Sequence, residues 1–119
     1  MFVMSEKYRI ISSAIVGGIL PIAAGIALGI KRNGLDERCH CFVGDMTSCP
    51  GLYQEATQYA YLHRLPMLWS VENNGYSTGT PTADAWGADI LETREEIPCG
   101  GYNYTRTWPH VGTGTKVTF

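Results

Sequence analysis

The sequence has no strong excess of charge of either sign and few charged residues of any kind. It carries 9 Lys and Arg against 11 Asp and Glu, a net charge of -2, and only 17% charged residues in all. Such a balance gives no basic patch, which argues against nucleic acid as a partner. Internal repeats and low-complexity tracts are absent as well. The remaining composition, 45% hydrophobic in 119 residues, is that of one small globular domain.

Cysteine is scarce, and its pattern favours neither disulfides nor zinc. The sequence has 4 cysteines. Lys7 and Arg9 interrupt the start of the chain, so no signal peptide is predicted there. We therefore expect reduced thiols and a cytoplasmic location. In Cys39-His40-Cys41 a strand would place both thiols on one face and the imidazole on the other. No second ligand pair follows at zinc-finger spacing, so we expect no zinc site here.

The longest stretch without charge, Ile10 to Ile30, is long enough to cross a bilayer. Two features favour a soluble interpretation: glycine and serine pairs in its first half, and Pro21 in its middle. We predict a loop from Ile11 to Gly18, followed by a buried helix from Pro21 to about Arg32. Proline in the first turn and Asn33-Gly34 beyond the end are typical helix boundaries. The sequence thus predicts no membrane span.

Two short apolar runs bounded by turn residues predict buried strands, at Cys39 to Val43 and at Met67 to Val71. Between them a helix is predicted to begin near Cys49 or Pro50. Residues recur in it at helical spacing, namely Leu52, Ala56, Tyr59, Ala60 and His63. The order helix, strand, helix, strand predicts an α/β fold with a parallel sheet flanked by helices.

The two ends of the chain carry weaker signals. Met1 to Arg9 is predicted to be an irregular lead-in. Tyr102 to Trp108 alternates polar and aromatic residues, as a strand does, and Lys116 to Phe119 is a second candidate strand. We expect one domain over residues 1–119.

Polar side chains follow both predicted strands. Asp45 comes after the first, and Asn74 follows the second. The carboxyl ends of neighbouring parallel strands share one edge of a sheet, where ligands bind. A carboxylate and a carboxamide oxygen suit Mg²⁺, which prefers oxygen ligands and keeps further positions for phosphate and water. The alternative is that Asp45 caps a helix and Asn74 serves a turn.

The two segments that contain these residues resemble a known cofactor motif. Gly44-Asp45, followed after one helix by Asn73-Asn74, resembles the thiamine diphosphate motif, Gly-Asp-Gly and later Asn-Asn. Residues 11–82 resemble the alpha subunit of the thiamine diphosphate-dependent first component of 2-oxo acid dehydrogenases, of the pyruvate and branched-chain types. The segments that carry this resemblance are Ser13 to Gly18, Pro21 to Lys31, Phe42 to Asp45, Gln54 to Ala56, Arg64 to Pro66 and Glu72 to Thr82.

The resemblance implies a role for individual residues. Asp45 and Asn74 would bind Mg²⁺ by their side chains, and Tyr76 by its backbone carbonyl. The diphosphate would lie on the Gly44 turn, held by backbone N–H groups of Met46 and Thr47. The cofactor-binding residues implied in all are Ala14, Val16, Gly44, Met46, Thr47 and Asn74.

Within that set, backbone groups of Ala14 and Val16 would bond the aminopyrimidine, and the Val16 side chain would support the bent cofactor. Any buried loop would also accept a valine at that position.

The sequence departs from the family pattern at several points. The second glycine of the motif is Met46 here, which predicts a strained or rearranged backbone. The matched core is 11–82, the tail 83–119 is divergent, and the domain is expected to be shortened at both ends. Thr107 to Gly112 faintly resembles the late histidine loop of the family, so His110 is a candidate to face the diphosphate, although a surface position fits it equally well.

In this family thiamine diphosphate supplies the chemistry for decarboxylating a 2-oxo acid. The resemblance implies that the activating Glu comes from a pyrimidine-domain, beta-type partner subunit, in a hetero- or homo-oligomer. Two alternatives remain open at this point. One is a split transketolase-like subunit that acts on sugar phosphates. The other is a non-catalytic homologue that folds or binds a partner.

Overall fold

The computed structural model describes residues 2–87, 100–105 and 107. Among these residues its elements are two short antiparallel strand pairs, a three-stranded parallel sheet and four helices. They are β1 (Val3–Ser5), β2 (Ile10–Ser12), α1 (Ile19–Arg32), β3 (Cys39–Gly44), α2 (Asp45–Ser48), α3 (Gly51–Leu62), β4 (Met67–Asn73), β5 (Tyr76–Ser77), β6 (Thr80–Pro81), α4 (Thr82–Trp86) and β7 (Gly100–Asn103). The predicted strand Lys116 to Phe119 lies outside the described residues.

The central sheet has the strand order β3-β4-β7. Its strands are parallel, and the register of the second pair runs from Ser70 opposite Gly100 to Asn73 opposite Asn103. With helices flanking this sheet, the α/β class predicted from the sequence is confirmed. In β3, however, buried and exposed residues alternate, and Phe42 is exposed. The expectation of a strand buried on both faces is therefore wrong for β3.

The chain divides into two compact units, one formed by Met1–Cys41 and Pro50–Leu68, the other by Phe42–Cys49 and Trp69–Phe119. In the first unit, α1 packs against α3. Three alanines of α1, Ala23, Ala24 and Ala27, are buried. Small side chains allow two helices to approach closely, so buried alanines are compatible with this pairing. Among the described elements, the principal partner of α1 is α3.

Helix α1 begins two residues before Pro21, which lies in the first turn. Proline is tolerated there because the first N–H groups of a helix have no intrahelical partner. At the other end Gly34 has a φ of 63°. The N–H of Gly34 donates to Lys31 and that of Leu35 to Ile30, both at 3.1 Å. This is a Schellman motif, and it confirms the helix end predicted at Asn33-Gly34.

Helix α3 ends in the same motif without glycine. Arg64 takes a φ of 48°, and the N–H groups of Arg64 and Leu65 donate to Tyr61 and Ala60 at 2.9 Å. Lys31 Nζ also donates to the His63 carbonyl at 2.5 Å.

The buried face of α3 consists of Tyr53, Ala56, Thr57 and Ala60. Ala56 and Ala60 match the predicted face, whereas Leu52, Tyr59 and His63 are exposed. The sequence pattern assigned the long side chains at those positions to the core, and this part of the prediction is wrong.

Both ends of the described chain differ from the expectation. Residues 3–5 and 10–12 pair as an antiparallel hairpin, with Val3 opposite Ser12. The predicted irregular lead-in is therefore wrong. The predicted loop start at Ile11 is wrong too, because Ile11 and Ser12 belong to β2. The strand predicted at Tyr102 to Trp108 is β7, which begins at Gly100 and ends at Asn103. It ends there because β4, its partner, ends at Asn73, whose carbonyl accepts the Tyr104 N–H at 2.9 Å.

None of the helices among residues 2–87, 100–105 and 107 has the length and apolar character needed to cross a membrane.

Candidate functional site

Asp45 is the first residue after β3, and it opens the short helix α2. Its side chain is 2% exposed. Gly44 enters the turn in extended conformation, with ψ at 159°. The Asp45 carbonyl accepts hydrogen bonds from Ser48 Oγ at 2.7 Å and Cys49 Sγ at 3.3 Å. Hydrogen bonds within α2 and its C-terminal end therefore fix the main chain of Asp45.

Asn73 ends β4, and its side chain shapes the turn that follows. Asn73 Oδ1 accepts the Gly75 N–H at 3.0 Å, and Nδ2 donates to Asn103 Oδ1 at 3.0 Å. Gly75 has a φ of 74°, a conformation that favours glycine. Asparagine side chains that bond the backbone two residues on are typical of such turns. The carboxyl end of β4 is thus a rigid Asx turn.

Asn74 repeats this arrangement one residue further along. Its Oδ1 accepts the Tyr76 N–H at 2.9 Å, and its Nδ2 donates to the Tyr104 hydroxyl at 3.0 Å. Because the amide nitrogen is bound to Tyr104, the orientation of the amide is fixed. The oxygen keeps a second lone pair for a further partner.

These residues surround a cavity of about 260 Å³ that lies within the second unit. Its lining consists of Gly44, Asp45, Met46, Thr47, Glu72, Asn74, Tyr76, Ser77, Thr78 and Tyr104. The side chains supply carboxylate, amide and hydroxyl oxygens, and none of the described residues in this lining is Lys, Arg or His. Two carboxylates with neutral oxygen donors favour a hard cation over a free anion. The donor set therefore fits magnesium.

Six residues predicted from the sequence line this one cavity: Gly44, Asp45, Met46, Thr47, Asn74 and Tyr76. The other two, Ala14 and Val16, belong to the first unit, where they lie in the exposed turn before α1. Val16 is 69% exposed. Their assignment to the cofactor stays a prediction. His110 lies outside the described residues.

Met46 does not strain the turn, contrary to the expectation from its place in the motif. It is the second residue of α2, and the non-glycine residues with positive φ among those described are Arg9, Arg64 and Thr78. A helical φ suits any L-residue, so glycine is not required here. The Met46 sulfur accepts a hydrogen bond from Trp86 Nε1 at 3.0 Å.

Several residues that line or support the site had no role assigned from the sequence, among them Thr82, Tyr104 and Tyr102. The Thr82 hydroxyl donates to Asp45 Oδ2, and Tyr104 holds Asn74. The Tyr102 hydroxyl donates to Glu72 Oε1 at 2.7 Å, and this bond raises the pKa of Tyr102 above its usual value. Thr82 stands in a segment that resembles the family, which was a usable signal. Tyr102 and Tyr104 come close to the site because β7 pairs with β4. No local sequence pattern reveals this pairing.

Among residues 2–87, 100–105 and 107, no group of three or more His, Cys, Asp or Glu side chains could hold a metal ion. Cys39 and Cys41 are free thiols. Burial, and then the neighbouring Cys39, raise the pKa of Cys41 to about 11. Any metal at the cavity would accordingly depend on one or two carboxylates with amide, carbonyl and hydroxyl oxygens.

Comparison with known proteins identifies the family. Residues 1–95 match the family described as dehydrogenase E1 component. The chain is 42% identical over 89 residues to the pyruvate dehydrogenase E1 component subunit alpha of Rickettsia prowazekii, covering 74% of this chain and 27% of that protein. It is 44% identical over 87 residues to the human somatic mitochondrial form of that subunit, covering 72% of this chain and 22% of that protein. The chain thus spans about a quarter of the length of these relatives. It belongs to the dehydrogenase E1 component family and is similar to its alpha subunits.

Proposed function

We propose that this chain supplies the magnesium and thiamine diphosphate site of the E1 component of a 2-oxo acid dehydrogenase. One observation carries this proposal. Asp45, Asn74 and Tyr76 follow two different strands, yet they line the same cavity. Family membership supports the assignment, because the matched relatives are named as subunits of pyruvate dehydrogenase.

Asp45 is the dominant ligand in this proposal because it is the charged oxygen donor among the three. Asn74 adds its amide oxygen and Tyr76 its carbonyl. None of the described residues that line the cavity is cationic, and in this proposal the metal offsets the charge of the diphosphate there. Met46 and Thr47, also in the lining, offer backbone N–H groups at the first turn of α2.

Thiamine diphosphate, when bound, supplies the electron sink for decarboxylation of the 2-oxo acid. The residues of this chain bind the metal and the diphosphate and fix their orientation. The acid that activates the aminopyrimidine comes, in this proposal, from a beta-type partner subunit. This chain alone then lacks catalytic competence, and a cytoplasmic location stays a prediction.

Membership of the E1 family favours 2-oxo acids over the sugar phosphates of the transketolase-like alternative. A non-catalytic binding subunit is the second candidate. The two carboxylates of the described cavity lining, Asp45 and Glu72, would allow metal binding without turnover. Decarboxylation of pyruvate by the purified chain with and without a beta-type subunit separates these cases. Turnover by the chain alone would contradict the need for a partner, and no turnover with the subunit present would favour the second candidate.

The binding site itself is tested by calorimetry. Thiamine diphosphate is titrated into the full chain with Mg²⁺ or with EDTA. We expect binding in Mg²⁺, its loss in EDTA and its loss in Asp45→Ala, since that change removes the charged ligand. Asn74→Ala should weaken binding severely. Asp84→Ala is the matched control, because Asp84 is an exposed carboxylate of α4 and should leave binding unchanged. Equal affinity in wild type and Asp45→Ala would overturn the assignment.

A further inference from the structure

Thr82 is a buried polar residue whose hydroxyl is directed at the predicted metal ligand. It is 3% exposed, and its Oγ1 donates a hydrogen bond to Asp45 Oδ2. Thr82 is also the first residue of α4, yet no side chain caps that helix. The hydroxyl is thus committed to the carboxylate.

The backbone of Thr82 bonds to the turn after β4, which contains the other predicted ligands. Its N–H donates to the Gly75 carbonyl at 2.8 Å. Gly75 lies between Asn74 and Tyr76, the other two predicted ligands. One residue therefore bonds to both parts of the chain that supply the proposed metal site: to Asp45 through its side chain, and to the turn after β4 through its main chain.

This geometry has a direct consequence for the carboxylate. A hydrogen bond to one oxygen of a buried Asp fixes the rotation of the group and determines which lone pairs remain for a cation. Groups that bond to metal ligands in this manner orient them and tune their basicity. Loss of such a partner typically reduces metal affinity by about 10- to 100-fold.

We propose that Thr82 is a positioning residue that orients Asp45 for magnesium. This inference rests on the function proposed above. It names a residue outside the ligand set, and it predicts that the hydroxyl, rather than the bulk of the side chain, sets the affinity for the metal.

Three variants of the full chain test this inference. Thr82→Val keeps the shape and the backbone N–H but removes the hydroxyl. Thr82→Ser keeps the hydroxyl and removes the methyl group. Thr80→Val is the matched control, because Thr80 is an exposed threonine of β6, two residues before Thr82. For each, calorimetry at saturating thiamine diphosphate gives the Mg²⁺ concentration at half-saturation, and thermal unfolding without Mg²⁺ reports folding.

We expect half-saturation of Thr82→Val at about 10- to 100-fold more Mg²⁺ than wild type. Thr82→Ser should stay within about threefold of wild type, since the hydrogen-bond donor is retained. Thr80→Val should be unchanged. A purely structural role would lower the thermal midpoint of Thr82→Val without a selective change in Mg²⁺ affinity.

Wild-type Mg²⁺ affinity in Thr82→Val, or equal losses in Thr82→Val and Thr82→Ser, would overturn the inference. If Thr82→Val does not fold, the inference is tested with Thr82→Ser, which keeps the hydroxyl. A loss of Mg²⁺ affinity beyond about threefold in Thr82→Ser would then contradict the proposal that the hydroxyl sets the affinity. Failure of the proposed function looks different, because Asp45→Ala would then retain binding. Loss of binding in Asp45→Ala with wild-type affinity in Thr82→Val rejects only the role of Thr82.

Discussion

The interiors of the two units are built from different groups. In the first unit the buried residues are mainly apolar, among them Leu20, Ala23, Ala24, Ala27, Ile30, Tyr53, Ala56, Ala60 and Leu65. Four of the five buried polar residues described belong to the second unit, namely Asp45, Ser48, Asn73 and Thr82. The fifth, Thr57, bonds to carbonyls of its own helix.

This difference means that the two interiors have different roles: apolar burial mainly stabilises the fold, whereas buried polar groups mainly fix the positions of their partners. Apolar burial is non-directional and roughly proportional to area, so the first unit needs the right volume more than exact contacts. Buried polar groups are directional, and a donor or acceptor left without a partner costs free energy. We therefore expect changes in the first unit to act mainly on unfolding, and changes in the second to act on ligand binding as well.

The largest effect on stability is expected for Leu20→Ala in α1. Leu20 is 0% exposed, so the change leaves a cavity and should lower the free energy of unfolding by about 2–5 kcal/mol. Urea unfolding followed by circular dichroism measures it. Ile22→Ala is the control on the same helix, because Ile22 is 43% exposed and should cost less than about 1.5 kcal/mol. Similar losses for both variants would contradict the packing described for α1.

An intermediate effect is expected for Asn73→Ala, which leaves the Gly75 N–H and the Asn103 side chain without their partner. The expected cost is about 1–3 kcal/mol of unfolding free energy. Because the Asx turn also fixes Asn74, magnesium-dependent binding of thiamine diphosphate should weaken too. Calorimetry and urea unfolding test both. A stability loss of that size with unchanged binding would show that the turn does not support the site.

The smallest effect is expected for Cys41→Val, and it should appear only at high pH. Burial and the neighbouring Cys39 raise the pKa of Cys41 from 9.0 to about 11. Between these values the unfolded chain releases the thiol proton and the folded chain keeps it, so folding stability falls as pH rises. Cys41→Val removes this contribution. Urea unfolding at pH 8 and at about pH 10.5 should show a shallower decline in the variant than in wild type. Parallel declines would argue against the buried thiol.

The sequence predicted those parts of the fold that depend on local patterns. The end of α1 at Asn33-Gly34 and the strands β3 and β4 follow from turn residues and apolar runs a few residues long. The positions of Asp45 and Asn74 at the strand ends came from the same patterns. Their meeting at one cavity follows from the parallel order of β3 and β4.

Other features depended on contacts between distant residues. The β1–β2 hairpin joins two segments of three residues each, which are too short to form a clear pattern. The buried face of α3 was set by its packing on α1 rather than by the size of its side chains. Tyr104 reaches Asn74 only because β7 pairs with β4.

The sequence by itself thus determined the family, the α/β class and six of the residues that line the cavity, because family motifs and strand ends are local in the chain. Only the tertiary structure decided which contacts hold these cavity residues in place. The helical conformation of Met46 and the hydrogen bond from Thr82 to Asp45 both arise where separate segments meet. A hydrogen bond depends on distance and angle between such segments, and no pattern along the chain fixes these quantities.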